Sequence, residues 1–136
     1  MDLDRFVLAQ DAHQTYRQAV RELRQGRKTS HWMWFVFPQI AGLGRSSIAQ
    51  SYAIADLAEA QAYLAHPVLG PRLIECAEIV AGHPDRTAEQ IFGGIDAMKL
   101  RSSMTLFAAA DPEQPVFGQV IDLFFAGPDP ETVKRL

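Results

Sequence analysis

Three short segments hold the residues whose types and spacing could do chemistry. The first is the run Ser30-His31-Trp32-Met33-Trp34-Phe35-Val36-Phe37-Pro38-Gln39, which follows the bases Arg27 and Lys28. An imidazole such as that of His31 exchanges a proton near neutral pH, and an indole stacks on a flat base. Trp32 and Trp34 share one face less easily than residues three or four apart would, so one of them is read as lining a pocket. The other reading keeps both indoles in the core with His31 hydrogen-bonded at its edge. The second segment is Lys99-Leu100-Arg101-Ser102-Ser103. On a helix, Lys99, Ser102 and Ser103 stand at the three and four spacings and share a polar edge. Lys99 and Arg101 are candidate phosphate ligands, Arg101 with the better fork. The two serines either contact a ligand or allow close helix packing. The third segment, Gly42-Leu43-Gly44-Arg45-Ser46-Ser47, reads as a glycine-permitted turn into a helix start, where free N–H groups and Arg45 could cradle an anion. It lacks the third glycine of a dinucleotide fingerprint and also reads as a plain loop.

For a reaction, Asp96 is the candidate carboxylate to activate water and His31 the candidate proton carrier. Asp96 is equally suited to cap a helix. Other chemistries find little support. Cys76 lies within an apolar helical pattern and reads as core rather than nucleophile. His13, His66 and His83 have no metal-like pairing, so neither a metal site nor a cofactor is expected. There is no Gly-x-Ser-x-Gly elbow.

The elements that must position these groups read as helices with repeated start and stop signals. Helical stretches cover residues 4–25, with Asp11 opening a fresh one, and Tyr16, Ala19, Val20 and Leu23 make an apolar face. Arg17, Arg21 and Arg24 repeat the same spacing on another face, and Gly26 is a C-terminal cap. Residues 31–37 fit a strand or a short helix equally. Ser46 or Ser47 caps a short helix ending at Tyr52. Asp56-Leu57-Ala58-Glu59 opens a helix to about Leu64. Pro67 suits the first turn of a helix over 67–81. Thr87-Ala88-Glu89-Gln90 is a capping box. Helices over 97–109 and 113–126 follow, started by Asp96 and by Asp111-Pro112, and Asp129-Pro130 begins a last turn. Leu73, Val80, Leu100, Met104, Phe107, Val120 and Phe124 form the expected core. The expectation is a mainly α, compact orthogonal fold of about seven or eight helices, with room for one short strand pair.

The 136 residues fit a single domain over 1–136. Net charge is −3 but uneven. Residues 12–55 hold six bases against one acid, Glu22, and the remainder seven against fifteen. A local basic surface on an acidic protein fits a discrete anionic ligand better than general nucleic-acid coating. One cysteine, an acidic start at Met1-Asp2-Leu3-Asp4 and no apolar run near the roughly 20 residues of a bilayer span favour a cytoplasmic protein with no membrane partner. The oligomeric state leaves no mark in the sequence.

The aromatic run with Gly42-Leu43-Gly44, together with Tyr63-Leu64-Ala65-His66-Pro67-Val68-Leu69-Gly70 and residues 99–107, resembles the bacterial family catalogued as domain of unknown function 1810, over nearly the whole chain. Some members of that family carry the label calpastatin, a flexible inhibitor, whereas this chain reads as packed helices. Phe6-Val7-Leu8-Ala9-Gln10 and the later aromatic, basic and Met pattern resemble, more remotely, the NADAR superfamily. That resemblance implies ADP-ribose or riboflavin-precursor metabolism and cleavage of N-glycosidic bonds; no residue role is carried over from it. The leading expectation is a domain binding a small phosphorylated, nucleotide- or ADP-ribose-like ligand, in its catalytic form an N-glycoside hydrolase. The alternative is a noncatalytic protein-interaction module using exposed aromatics.

Overall fold

The computed structural model describes residues 2–136, and the protein is mainly α. Helix α1 spans Asp4–Asp11 and α2 Thr15–Arg24, with a tight 3-10 turn at Ala12–Gln14 between them. The fresh start therefore falls at Thr15 rather than at Asp11. His13 and Gln14 take left-handed backbone angles, φ 55° and 57°, and the Thr15 hydroxyl donates to the Ala12 carbonyl at 2.6 Å. Helix α2 ends as expected at Gly26. With φ at 74°, Gly26 donates its N–H to Leu23 O at 2.9 Å, and Arg27 donates to Glu22 O at 3.0 Å. That paired closure needs a left-handed residue, which glycine adopts without steric cost.

Residues 31–37, open to two readings in sequence, form one helical turn, α3, at Met33–Val36. The Val36 and Phe37 N–H groups bond to the Trp32 and Met33 carbonyls, and Pro38 stops the helix. Trp32, Met33, Val36 and Phe37 are buried, while Trp34 is turned to a half-buried position. Among the described residues, a single parallel bridge joins Ile40 and Ile54 in place of a strand pair.

Helix α4 spans Ser47–Ser51, α5 Leu57–Ala65 and α6 Leu69–Ala81. Asp56 caps α5 through Glu59 N at 2.9 Å, and the Glu59 carboxylate reaches back to Ala55 N at 2.8 Å. Helix α6 begins two residues after Pro67, because the His66 imidazole takes over the capping. Its Nδ1 accepts from Val68 N and Leu69 N at 3.1 and 3.2 Å. Gly70 lets α6 approach α5: a Cβ there would lie 2.1 Å from the Leu64 carbonyl oxygen.

Helix α7 spans Ala88–Phe92 behind the Thr87–Gln90 capping box. Helix α8 spans Gly94–Ala110, α9 Pro115–Phe124 and α10 Pro130–Val133. Asp96 does not cap α8. The helix starts at Gly94, and Asp96 lies in its first turn, drawn to lysines instead. Gln114, not Asp111, caps α9.

Helix α8 packs against α5, α7, α9 and α10, and α6 against α2, α5 and α9. Leu73, Val80, Leu100, Met104, Phe107 and Val120 are buried as expected. Phe124 is only partly buried; it is the last helical residue of α9, and Val116, Phe117, Val120 and Ile121 fill the inward face instead. Cys76 is core, where burial pushes its thiol up to about 12. Among the described residues no helix is long and apolar enough to cross a membrane.

Candidate functional site

The aromatic run is held in place by a buried acid. Glu22 is only 2% exposed. Its carboxylate accepts hydrogen bonds from Thr29 N at 2.7 Å, Ser30 N at 2.9 Å, Trp32 Nε1 at 3.0 Å, Gln18 Nε2 at 2.8 Å and the Ser30 hydroxyl. Burial by itself raises a carboxyl pKa, but the Ser30 hydroxyl and Thr29 N–H, joined by Gln18 and Ser30 N–H, outweigh it and bring Glu22 down to about 2. The lone acid of the basic segment is thus the anchor that folds residues 29–32 against α2.

From this anchor a charged relay runs to α8. Lys28 Nζ donates to the Ser30 carbonyl at 2.6 Å and lies 2.8 Å from Asp96 Oδ2. Lys99 Nζ lies 3.6 Å from Asp96 Oδ1 and 4.8 Å from the centroid of the Trp34 ring. Asp96 is therefore shared between two ammonium groups. A carboxylate so paired is a positioner of cations more than a free base.

Beside Lys99 opens a concavity of about 310 Å³ between the Gln39–Gly44 loop, the first turns of α8 and the start of α10. Leu43, Ile95 and Met98 give it an apolar wall. Ile95 and Met98 are 75% and 72% exposed. Polar groups converge on it from three elements: Gln39, Lys99 and Asp129. Gln39 also borders the small recess beside Trp34 and Tyr52. Its backbone is pinned, since its carbonyl accepts from Ile54 N at 2.8 Å, while its side-chain amide takes part in none of the described hydrogen bonds. Asp129 Oδ2 accepts from the Ser102 hydroxyl at 2.9 Å and the Thr132 hydroxyl at 2.6 Å. Burial pushes the Asp129 pKa up, but the Thr132 and Ser102 hydroxyls outweigh it, and the net shift is down.

The structure separates the sequence candidates. Lys99, Arg101 and Ser102 line the concavity, and Trp34 adjoins it through Lys99. Much of Arg101 and Ser102 is already committed. Arg101 Nε and Nη2 donate to the Gly127 and Pro128 carbonyls at 2.8 and 3.1 Å, so its fork holds the α9–α10 turn instead of an open phosphate position. Trp32 and Ser103 are buried in the core. Asp96 stands behind Lys99 rather than on the lining, and Arg45 and His31 are exposed outside it. Trp32 lies in the core, while Trp34 is half-buried beside the small recess and is not on the lining of the concavity. Gln39, Ile95, Met98, Asp129 and Glu131 line the concavity without having been singled out as site residues in sequence. Gln39 closes the aromatic motif, but nothing in its type alone marked it.

The fold and site define a helical protein with an apolar-walled, polar-edged concavity beside Lys99. The chain belongs to the family described as protein of unknown function (DUF1810), whose model matches residues 1–136. It is similar to a solved structure, the crystal structure of a conserved hypothetical protein from Mycobacterium tuberculosis. The two are 51% identical with a TM-score of 0.96, over 99% of this chain and 96% of that one. No curated protein matches the chain.

Proposed function

We propose that the concavity beside Lys99 binds the nucleoside portion of a nucleotide- or ADP-ribose-like ligand. The observation that carries this is the convergence of a free amide, an ammonium and a carboxylate over an apolar wall, from three segments distant in sequence. The volume, about 310 Å³, is near the low end of small-molecule sites, roughly 300–1,000 Å³, and suits one base and its sugar rather than a whole dinucleotide. Leu43, Ile95 and Met98 would cover a flat ring, Gln39 would bond its edge, and Asp129 would accept from sugar hydroxyls. Lys99 would meet a phosphate on leaving the face of Trp34. The remote NADAR resemblance points to the same ligand class.

A small ligand is favoured over a protein partner by the aromatics themselves. Trp32 is buried and Trp34 lies under the Lys99 ammonium, so this segment presents no broad aromatic patch. Hydrolysis of an N-glycosidic bond would fall to Asp129 rather than Asp96 or His31, because Asp129 alone of the three lines the concavity. Its lowered pKa suits an ionised carboxylate that stabilises developing positive charge, not a general acid.

The test is a calorimetric titration of adenosine, AMP and ADP-ribose against the parent and Lys99→Ala. AMP should bind more tightly than adenosine to the parent, and the gap should close in Lys99→Ala. Because the Lys99 contact is part-exposed, the gap should also shrink as salt rises. Equal binding of all three ligands by both proteins, or no binding at all, would defeat the reading.

A further inference from the structure

On the opposite side of the aromatic segment from Lys99 in sequence, the α1–α2 kink and α6 enclose another concavity, about 530 Å³, lined by Gln10, Asp11, Gln14, Tyr16, Arg17 and Arg72. We propose that it is a second ligand site, distinct from the one beside Lys99, and that it takes a phosphoryl group through the Nε–Nη2 edge of Arg72, with Arg17 as the second cation.

The argument starts from how Arg72 is held. Its Nη1 donates to Gln10 Oε1 at 3.1 Å and lies 2.9 Å from Asp11 Oδ1. Its guanidinium carbon stands 4.7 Å from the centroid of the Tyr16 ring. One nitrogen and one face are thereby fixed. The Nε–Nη2 edge takes part in none of the described hydrogen bonds, and that edge is the one that grips two oxygens of an oxyanion at once. Gln10, which orients Arg72, is 1% exposed. Its amide nitrogen is used on the Phe35 carbonyl at 2.8 Å and on Tyr63 Oη at 3.2 Å, and Tyr63 is wholly buried. Two buried polar side chains thus orient one guanidinium at the wall of an open concavity. An ion pair made only for stability has little use for this, since a pair with a carboxylate as exposed as Asp11, 56%, adds little.

The other wall is cationic as well. Arg17, one residue beyond Tyr16, is exposed and takes part in none of the described salt bridges. The acids nearby are accounted for. Asp11 sits end-on at Nη1 and leaves the fork open, and Glu75 accepts from the Tyr16 hydroxyl. Gln14, on the rim, adds an amide donor from a residue in the left-handed region, as is its neighbour His13. Non-glycine residues hold that conformation only at a steric cost. Two guanidinium groups match a phosphoryl dianion better than a single carboxylate, and the fork geometry accepts either. The experiment separates these sources.

The full-length chain, uniformly labelled with ¹⁵N, is titrated at low salt with inorganic phosphate and separately with acetate and succinate. Phosphate is expected to saturate and to move the amides of residues 10–17 and 72, with any shift at residues 95–102 beside Lys99 following a separate binding curve. Arg72→Lys keeps the charge but loses the fork and should weaken phosphate by about tenfold or more; Arg17→Ala should weaken it by about threefold. If Arg72→Lys fails to fold, Arg17→Ala and the shift map decide. Saturation by a carboxylate but not by phosphate, an Arg72→Lys variant with parental affinity, or phosphate shifts confined to residues 95–102 would each overturn the proposal. Because the shift map separates the two regions, failure here leaves the Lys99 concavity standing, and the reverse also holds.

Discussion

Single side chains decide most of what this protein can do chemically, and Glu22 is the clearest case. Its folded pKa, about 2 against an ordinary 4.5, lies below the unfolded value. The stability it contributes is therefore fully present above about pH 4.5 and is lost as pH falls through 2. The shift corresponds to about 3 kcal/mol. Chemical denaturation of the parent should lose that much between pH 5 and pH 2 through this group. Glu22→Gln should show a flatter acid slope from a lower starting stability, because an amide cannot accept from all of Thr29, Ser30 and Trp32. An unchanged slope would remove Glu22 as the anchor. Ser103 offers the opposite test. Its hydroxyl is fully buried and has no hydrogen-bond partner among the described residues. An unsatisfied buried polar group costs about 1–3 kcal/mol, so Ser103→Ala should raise the denaturation midpoint. A fall would mean that the hydroxyl is satisfied in solution. Neither residue's setting was legible in the sequence. Glu22 stood out only as a lone acid among bases, and a serine at helix spacing from Lys99 looks the same whether it faces a ligand or the core.

Among the elements, local signals were legible and their ends less so. Asp56, Ser46, Thr87 and Gly26 cap as their types suggest, because a cap is set by a few neighbouring residues. Starts assigned to Asp11, Pro67, Asp96 and Asp111 shifted by a few residues, and three of them lost to a competing partner. His66 replaces Pro67, Gln114 replaces Asp111, and Lys28 with Lys99 draws Asp96 away. The α5–α6 crossing rests on Gly70. Gly70→Ala would place a methyl against the Leu64 carbonyl and should destabilise the fold by roughly 1–3 kcal/mol or more, read as a lower urea midpoint with an unchanged slope. Met104→Ala, on the fully buried face of α8, should cost roughly 2–5 kcal/mol. Normal stability in either variant would mean that the crossing or the α8 face is misplaced.

For the whole molecule, the residues that meet beside Lys99 come from the loop after α3, from α8 and from the start of α10, and that meeting is a property of the fold alone. The sequence pointed to Lys99 and Ser102 by their helix spacing, to Arg101 by its guanidinium fork and to Trp34 by its indole. It could not show that Arg101 spends its fork on the Gly127 and Pro128 carbonyls or that Trp32 is buried against Glu22, since those partners are set by tertiary packing. Nor could it rank Gln39 and Asp129, which matter by position rather than by type. The central claim is that these groups form one nucleoside-sized site. The most direct measurement is amide chemical-shift mapping of the full chain titrated with AMP. The account predicts a saturable response centred on residues 39–44, 95–102 and 129–131, weakened in Gln39→Ala and in Lys99→Ala. The absence of any saturable response in those three segments would contradict it.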